Sequence, residues 1–336
     1  MKITQQDTFD QYSSELTLSR KSHLQGTIVI VDGFGRTGKG MLGTILSSFD
    51  RIEIERIEYV LEWVSVLHRL GKISYDASVW VLQTEADNLL INSMAGRNTN
   101  FRYADQSSAW KAPSALRYFR RIFIRDKDSI TSYIEKSHPI FQFQTHAQLS
   151  NFNLYHDAFG NRLKFIELIR HPVDVMDAWM RRGFGIRFGN DPLQLTMCVE
   201  YLGSEVPYIA LGWKDIYINA TPLERIVRMV ESMWDLSIST YESLSENMTE
   251  QIFFVSFEEF VQNPRPYLHR LASFVGSNVT RHTQGILRRE NCPRTLSITD
   301  RDKKQRQFED ELSHEYTHKI HRLIHEYEEM SARFIL

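Results

Sequence analysis

The residues Gly33-Phe34-Gly35-Arg36-Thr37-Gly38-Lys39-Gly40 hold four glycines and two cations within eight positions. They follow the β-branched run TIVIVD (27–32) and lead into a helix-like stretch over 42–49. Glycines let backbone N–H groups close around an anion, and a helix that starts there turns its positive end toward the same point. The chemistry on offer is phosphate binding. In one frame Gly33 to Lys39 fits GxxxxGK, a nucleotide loop whose next residue is normally a Ser or Thr that holds Mg²⁺. Gly40 and Met41 carry no hydroxyl. In the other frame Arg36-Thr37-Gly38 sets a cation, a hydroxyl and a glycine at a helix start, a combination that holds a terminal phosphate without metal. A ligand-free glycine turn is the plain alternative, and the density of cations and glycines weighs against it.

A further cation stands in KFIELIRHPVDVMDAW (164–179), where Arg170 directly follows an apolar strand. Arg170, His171 and Pro172 read as a turn, with a helix from about Val173. Open α/β sheets bind ligands at the carboxyl ends of their strands, which places Arg170 for a second phosphate of the same ligand. Its alternative role is to bridge surface carboxylates.

Strands must carry these loops. Besides 27–32, the runs PIFQFQT (139–145), KFIELI (164–169) and QIFFVS (251–256) read as short strands separated by helical segments, which predicts a parallel sheet with helices on both faces. Helical spacing marks 222–245, through Leu223, Ile226, Val227, Val230 and Trp234, and 308–332, through Tyr316, Ile320, Leu323 and Tyr327. The least regular stretch, 50–138, is the natural place for a substrate-specific insertion. The chain of 336 residues has 40 Lys+Arg against 42 Asp+Glu, a net charge of −2, so no global basic field draws nucleic acid or an anionic membrane. The polar N-terminus lacks the apolar core of a signal peptide, and no run nears the ~20 apolar residues of a membrane span. A cytoplasmic protein is expected. Cys198 and Cys292 have no zinc-like spacing and read as inert thiols.

Together these segments resemble the sulfotransferases, P-loop enzymes that use 3′-phosphoadenosine 5′-phosphosulfate (PAPS). Arg36-Thr37-Gly38 stands where the family has a basic residue, a Ser or Thr, and Gly. Arg170-His171-Pro172-Val173-Asp174 matches its R-x-P-x-D segment, and FVSFEEFVQNPRPYLHRLASFVG (254–276) matches its later strand and helix ending in Phe-x-Gly. The resemblance spans roughly 27–276. It implies an α/β fold, a P-loop type parallel sheet flanked by helices, with a helical or irregular acceptor-binding insertion at 50–138. The domain would run over 25–336 after a polar extension at 1–24. Gly35, Arg36, Thr37, Gly38, Lys39 and Gly40 would hold the 5′-phosphosulfate, and Arg170 the 3′-phosphate. The family's Lys-Thr-His segment is matched by Gln144-Thr145-His146, which implies His146 as general base, with Arg36 and Lys39 stabilising the transferred group. The implied partners are PAPS as donor, no metal, and a hydroxyl acceptor. A sugar is the candidate acceptor because 95–113 mixes Arg97, Asn98, Asn100, Arg102, Tyr103, Asp105 and Trp110. Three positions differ from the family: Lys39 replaces a Ser or Thr, Ala178 a serine near the 3′-phosphate, and Gln144 a lysine.

Two rivals stay open. One is an ATP/Mg²⁺-dependent small-molecule or nucleotide kinase, from GxxxxGK and from Asp32 at the strand end. The other is a non-catalytic binding protein, from Ala178 and Gln144. His314-Glu315-Tyr316-Thr317-His318 is a literal HExxH, but the His residues at 314, 318, 321 and 325 lie opposite the apolar stripe and read as a solvated face. Arg301, Lys303, Lys304 and Arg306, after the loop RRENCPRT (288–295), are candidates to cover the 3′-phosphate or simply an exposed helix start.

Overall fold

In the computed structural model, which describes residues 16–24, 26–105, 107–124 and 126–334, the run TIVIVD supplies strand β1, Ile28–Asp32, all of it buried. The first 15 residues of the expected N-terminal extension lie outside the described residues. Helix α1 (Lys39–Leu46) follows β1, and the stretch up to β2 (Phe141–Gln144) folds into α2 (Tyr59–Arg69), α3 (Tyr75–Met94), α4 (Ala115–Arg121) and α5 (Lys127–Ser137). Next come α6 (Phe152–Phe159), β3 (Leu163–Ile169), α7 (Pro172–Arg181), the strands β4 (Cys198–Tyr201) and β5 (Ser204–Pro207), and α8 (Pro222–Ser243). The chain continues through β6 (Ile252–Ser256), α9 (Phe257–Gln262), α10 (Pro264–Phe274), α11 (Thr283–Arg289), α12 (Ile298–Glu311) and α13 (His314–Arg333).

The expected parallel sheet is present, in the order β2-β1-β3-β6. Strand β1 pairs on both sides, Ile28 opposite Phe141 and Leu163, and Asp32 opposite Glu167. Both faces are covered, which is why the strands are apolar throughout rather than alternating. Ile28, Ile30, Phe141, Phe143 and Phe165 point into one core with residues of α3, α6 and α8, while Val29, Val31, Ile166 and Leu168 point into another with α1, α9 and α10. The hairpin β4–β5 is antiparallel and separate. Among the described residues no helix is long and apolar enough to cross a membrane.

Two expectations need correction. The helix expected over 308–332 is two helices, because Leu312 is extended (φ −99, ψ 153) and Ser313 takes the N-cap position of α13. The stripe Tyr316, Ile320, Leu323 and Tyr327 is nonetheless buried. The stretch 50–138, expected to be the least regular, is mostly helix, and Ser74 caps α3 by accepting from the Ala77 amide.

At the sheet's open edge, residues 52 and 57 bridge to 140 and 144, which carries Glu55 behind α1. Its carboxyl group meets the Gln144 amide and lies 3.0 Å from Thr44 Oγ1, which itself donates to the Gly40 carbonyl at 2.8 Å. Burial pushes the Glu55 carboxyl up to about 8, so it is held neutral. Unfolded, Glu55 ionises in the ordinary carboxyl range; across the window from there to about 8 the folded state holds the extra proton, so stability falls as pH rises through it. Glu55→Gln keeps the shape and removes that slope. Thermal denaturation should show the variant's advantage over wild type growing from pH 5 to pH 9, and an equal difference at both would contradict this.

Candidate functional site

The loop after β1 is held from behind. Successive carbonyls each accept a side-chain donor: Gly33 from Lys39 Nζ at 2.5 Å, Phe34 from Thr37 Oγ1 at 2.9 Å and Lys39 Nζ at 2.8 Å, Gly35 from Trp179 Nε1 at 2.8 Å, and Arg36 from Arg170 Nη1 at 2.8 Å. The first amides of α1 have no intrahelical acceptor and form the helix's positive end. Two glycines make the turn. Gly33 has φ +135 and Gly38 φ +104, and a Cβ would lie 2.3 Å from the Leu168 carbonyl oxygen at the first and 2.6 Å from the Phe257 ring at the second. Burial pushes the Lys39 ammonium down to about 8, although Asp32 and Glu62 favour its charge.

Cations gather beside the loop. Arg36 is exposed, and its guanidinium is held below its ordinary value by burial and then by Arg182, Arg170 and Arg181. Arg170 leaves the end of β3, lies 4.4 Å from the Phe257 ring centre and keeps a buried Nε without a partner. Arg294 lies 5.3 Å from the same ring, its amide anchored on the Val261 carbonyl at 2.7 Å. Like charges drawn together around an unsatisfied donor fit an anionic ligand with separated phosphate groups. The glycine loop and Arg170 line one cavity of about 600 Å³.

His146 faces this cavity from the turn after β2. Glu62 Oε2, on α2, accepts from the His146 amide at 3.1 Å and lies 3.0 Å from Nδ1. With Nδ1–H donating to Glu62, Nε2 is left as the proton acceptor. Glu62 escaped the sequence reading because no spacing rule links it to a histidine 84 positions later. Arg294 lay inside the loop 288–295 but could not be singled out there. Gln144, at the place of the family lysine, also lines the cavity, with its amide turned to Glu55.

Other candidates lie elsewhere. Arg301 and Lys304 are engaged by Asp174, at 2.9 and 2.8 Å, and Arg301 also by Glu258 at 3.4 Å. Burial works against ionisation of Asp174, yet Lys304 and Arg301 hold its carboxyl below the usual range. Neither cation, nor the exposed Lys303 and Arg306, lines the cavity. They clamp α12 to α7 instead. None of the described residues of 95–113 lines it either: Asn100 donates to Asp105 and Ser107, and Arg289 donates to the Lys111 carbonyl. In the HExxH helix His321 pairs with Glu309 and His325 with Glu329 at the surface.

A family model described as a sulfotransferase domain matches residues 28–327. No curated protein matches the chain. Among solved structures, the sulfotransferase domain of the curacin biosynthetic pathway is 14% identical, covering 78% of this chain and 77% of its own, with a TM-score of 0.43. The corresponding domain of the Synechococcus olefin synthase is 14% identical over 85% and 83%, at 0.42. A sulfotransferase from Mycobacterium avium is 11% identical over 92% and 81%, at 0.40.

Lys39 gives the site a pH signature. Its ammonium is charged below about 8 and neutral above, so affinity for adenosine 3′,5′-bisphosphate should fall as pH rises past that value, the midpoint moving upward when the anion is bound. Lys39→Met removes the donor to the Gly33 and Phe34 carbonyls together with the charge, so calorimetry should show binding weakened about tenfold or more, the worth of a hydrogen bond from a charged group (~1.5–3 kcal/mol), with this pH dependence lost.

Proposed function

The chain belongs to the sulfotransferase family, and we propose that it transfers a sulfuryl group from PAPS to a hydroxyl acceptor. The observation that carries the reading is the convergence, in one cavity, of the glycine loop, the Arg170 and Arg294 side chains and the His146–Glu62 pair. When bound, PAPS supplies an activated sulfuryl group between a nucleotide phosphate and the acceptor. The loop from Gly35 to Gly40, with Thr37 shaping the turn and Lys39 adding charge, holds the 5′ end of the donor. Arg170, joined by Arg294, holds the 3′-phosphate. Arg36 faces the charge that shifts during transfer.

Glu62 keeps the His146 ring oriented, and His146 Nε2 takes the acceptor's proton. The acceptor oxygen bonds to sulfur as the sulfur–oxygen bond to the 5′-phosphate breaks, and the bisphosphate departs. The kinase alternative asks Asp32 to hold Mg²⁺, but its carboxylate already accepts from Thr145 Oγ1 at 2.7 Å and from the Gln148 and Leu149 amides at 2.6 and 2.9 Å. The sugar acceptor that residues 95–113 suggested loses its support, since that segment takes no part in the cavity wall. A cytoplasmic setting is part of the proposal, supported by two free cysteines.

His146→Ala should cut product formation from PAPS by about 10²–10⁴-fold, the usual worth of a general base, while calorimetric affinity for adenosine 3′,5′-bisphosphate stays within about twofold. Glu62→Gln should lower kcat more than it raises KM, as a lost orienting contact does. Turnover unchanged in His146→Ala would overturn its assignment, and tight bisphosphate binding with no turnover in wild type would favour the non-catalytic alternative.

A further inference from the structure

The sequence ALRYFRR of α4, followed by Ile122 and Phe123, mixes apolar and cationic residues, and the fold distributes them in the reverse of the usual order. Cations go inward. Arg121 donates to both Glu53 carboxylate oxygens at 2.6 and 2.8 Å, Arg117 donates to the Ile52 carbonyl at 3.2 Å, and the Tyr118 hydroxyl accepts from the Ile54 amide at 3.0 Å. This side of α4 is pinned to the segment 52–54. Leu116, Phe119 and Phe123, at spacings of three and four residues, share the opposite side. There Phe123 is 66% exposed and Leu116 55%, and the exposed Phe119 ring lies 5.6 Å from that of Phe123. Ile122 is exposed beside them, and the turn Ala109–Lys111, which packs against α4, adds the exposed Trp110.

A group of large apolar side chains left bare together marks a surface that something covers. Charge says what. From 95 to 123 the chain carries six cations and one carboxylate, Asp105, and 124–128 adds two of each sign, so this region is basic in a chain whose net charge is −2. With Arg117 and Arg121 turned to Glu53, and Arg102 lying 3.5 Å from Asp105, the exposed cations are Arg97, Arg102 and Arg120. Arg120 stands within one turn of both Leu116 and Phe123. Projecting aromatic and aliphatic side chains interleaved with arginines suit the headgroup region of an anionic bilayer, where the apolar groups reach the acyl boundary and the cations meet lipid phosphates. A bilayer asks for no complementary shape, whereas a second copy of the chain on the same face would set these cations against their own copies. We propose that the outer face of α4 docks the protein on an anionic lipid membrane. The attraction is local, which the net charge does not reveal. It goes beyond the sulfotransferase reading and stands without it, since Leu116, Phe119, Arg120 and Phe123 take no part in the wall of the cavity at the glycine loop.

The test sediments the full chain with vesicles of phosphatidylcholine alone and with vesicles that contain about 30% phosphatidylglycerol. Partition onto the anionic vesicles is expected to exceed that onto the neutral ones by about tenfold or more, and to fall as salt is raised. Phe119→Ser combined with Phe123→Ser, both at exposed positions, should weaken the binding about tenfold or more, and Arg120→Glu to a similar degree, with thermal denaturation unchanged in both. Arg306→Glu, an exposed charge reversal on α12, should leave partition as in wild type; a loss equal to that of Arg120→Glu would show a general charge effect and overturn the assignment to this face. No sedimentation with either vesicle overturns the proposal. So does self-association in analytical ultracentrifugation that the two serine substitutions abolish, found in place of vesicle binding, which would give the face to a second copy.

Discussion

The site depends on how the carboxylate of Asp32 is satisfied. It lies at the end of the central strand with no exposure to solvent, where an ionised group is costly unless hydrogen bonds replace its water. The Thr145 hydroxyl and the Gln148 and Leu149 amides supply them, all from the turn that carries His146. The Ala147 amide adds a bond to the Gly33 carbonyl at 3.2 Å. One carboxylate thereby fixes the glycine loop and the turn of His146 to each other, although they follow different strands. Beside it Glu167 is pushed well above its ordinary value by burial and by Asp32, so the neighbouring carboxyl stays neutral and the two do not repel.

Positioning of this kind holds a loop of glycines in one shape. Arg170 reaches the Arg36 carbonyl from β3, Trp179 reaches Gly35 from α7, and Phe257 leaves room for Gly38 only without a side chain. Three elements therefore set the shape of the loop, and the ion pairs of Arg301 and Lys304 with Asp174 brace one of them, α7, from outside. Arg301 and Lys304 thus hold the helix that holds the loop.

Much of this was legible in the sequence where the signal is local. β-branched runs and glycine turns located the four strands of the sheet, and the spacing of Leu223, Ile226, Val227, Val230 and Trp234 located α8, where all five are buried. That Arg170 and His146 stand just past strand ends was legible because each follows a strand-like run. The misses are long-range. Folding alone brings Glu62 to His146, and Arg301 and Lys304 are claimed by Asp174, more than a hundred positions away. The polar stretch 95–113 had the composition of a binding loop, yet it turns several of its polar groups on one another, as in the pair Asn100 with Asp105. Composition reports what a segment could bind; it does not report which way the fold turns it.

The most direct measurement is calorimetric titration of the full chain with adenosine 3′,5′-bisphosphate in EDTA, alongside ATP with and without Mg²⁺. The account predicts metal-independent binding of the bisphosphate that Arg170→Ala abolishes, because Arg170 and Arg294 converge over Phe257 at the cavity. Binding of Mg·ATP in preference to the bisphosphate would contradict it.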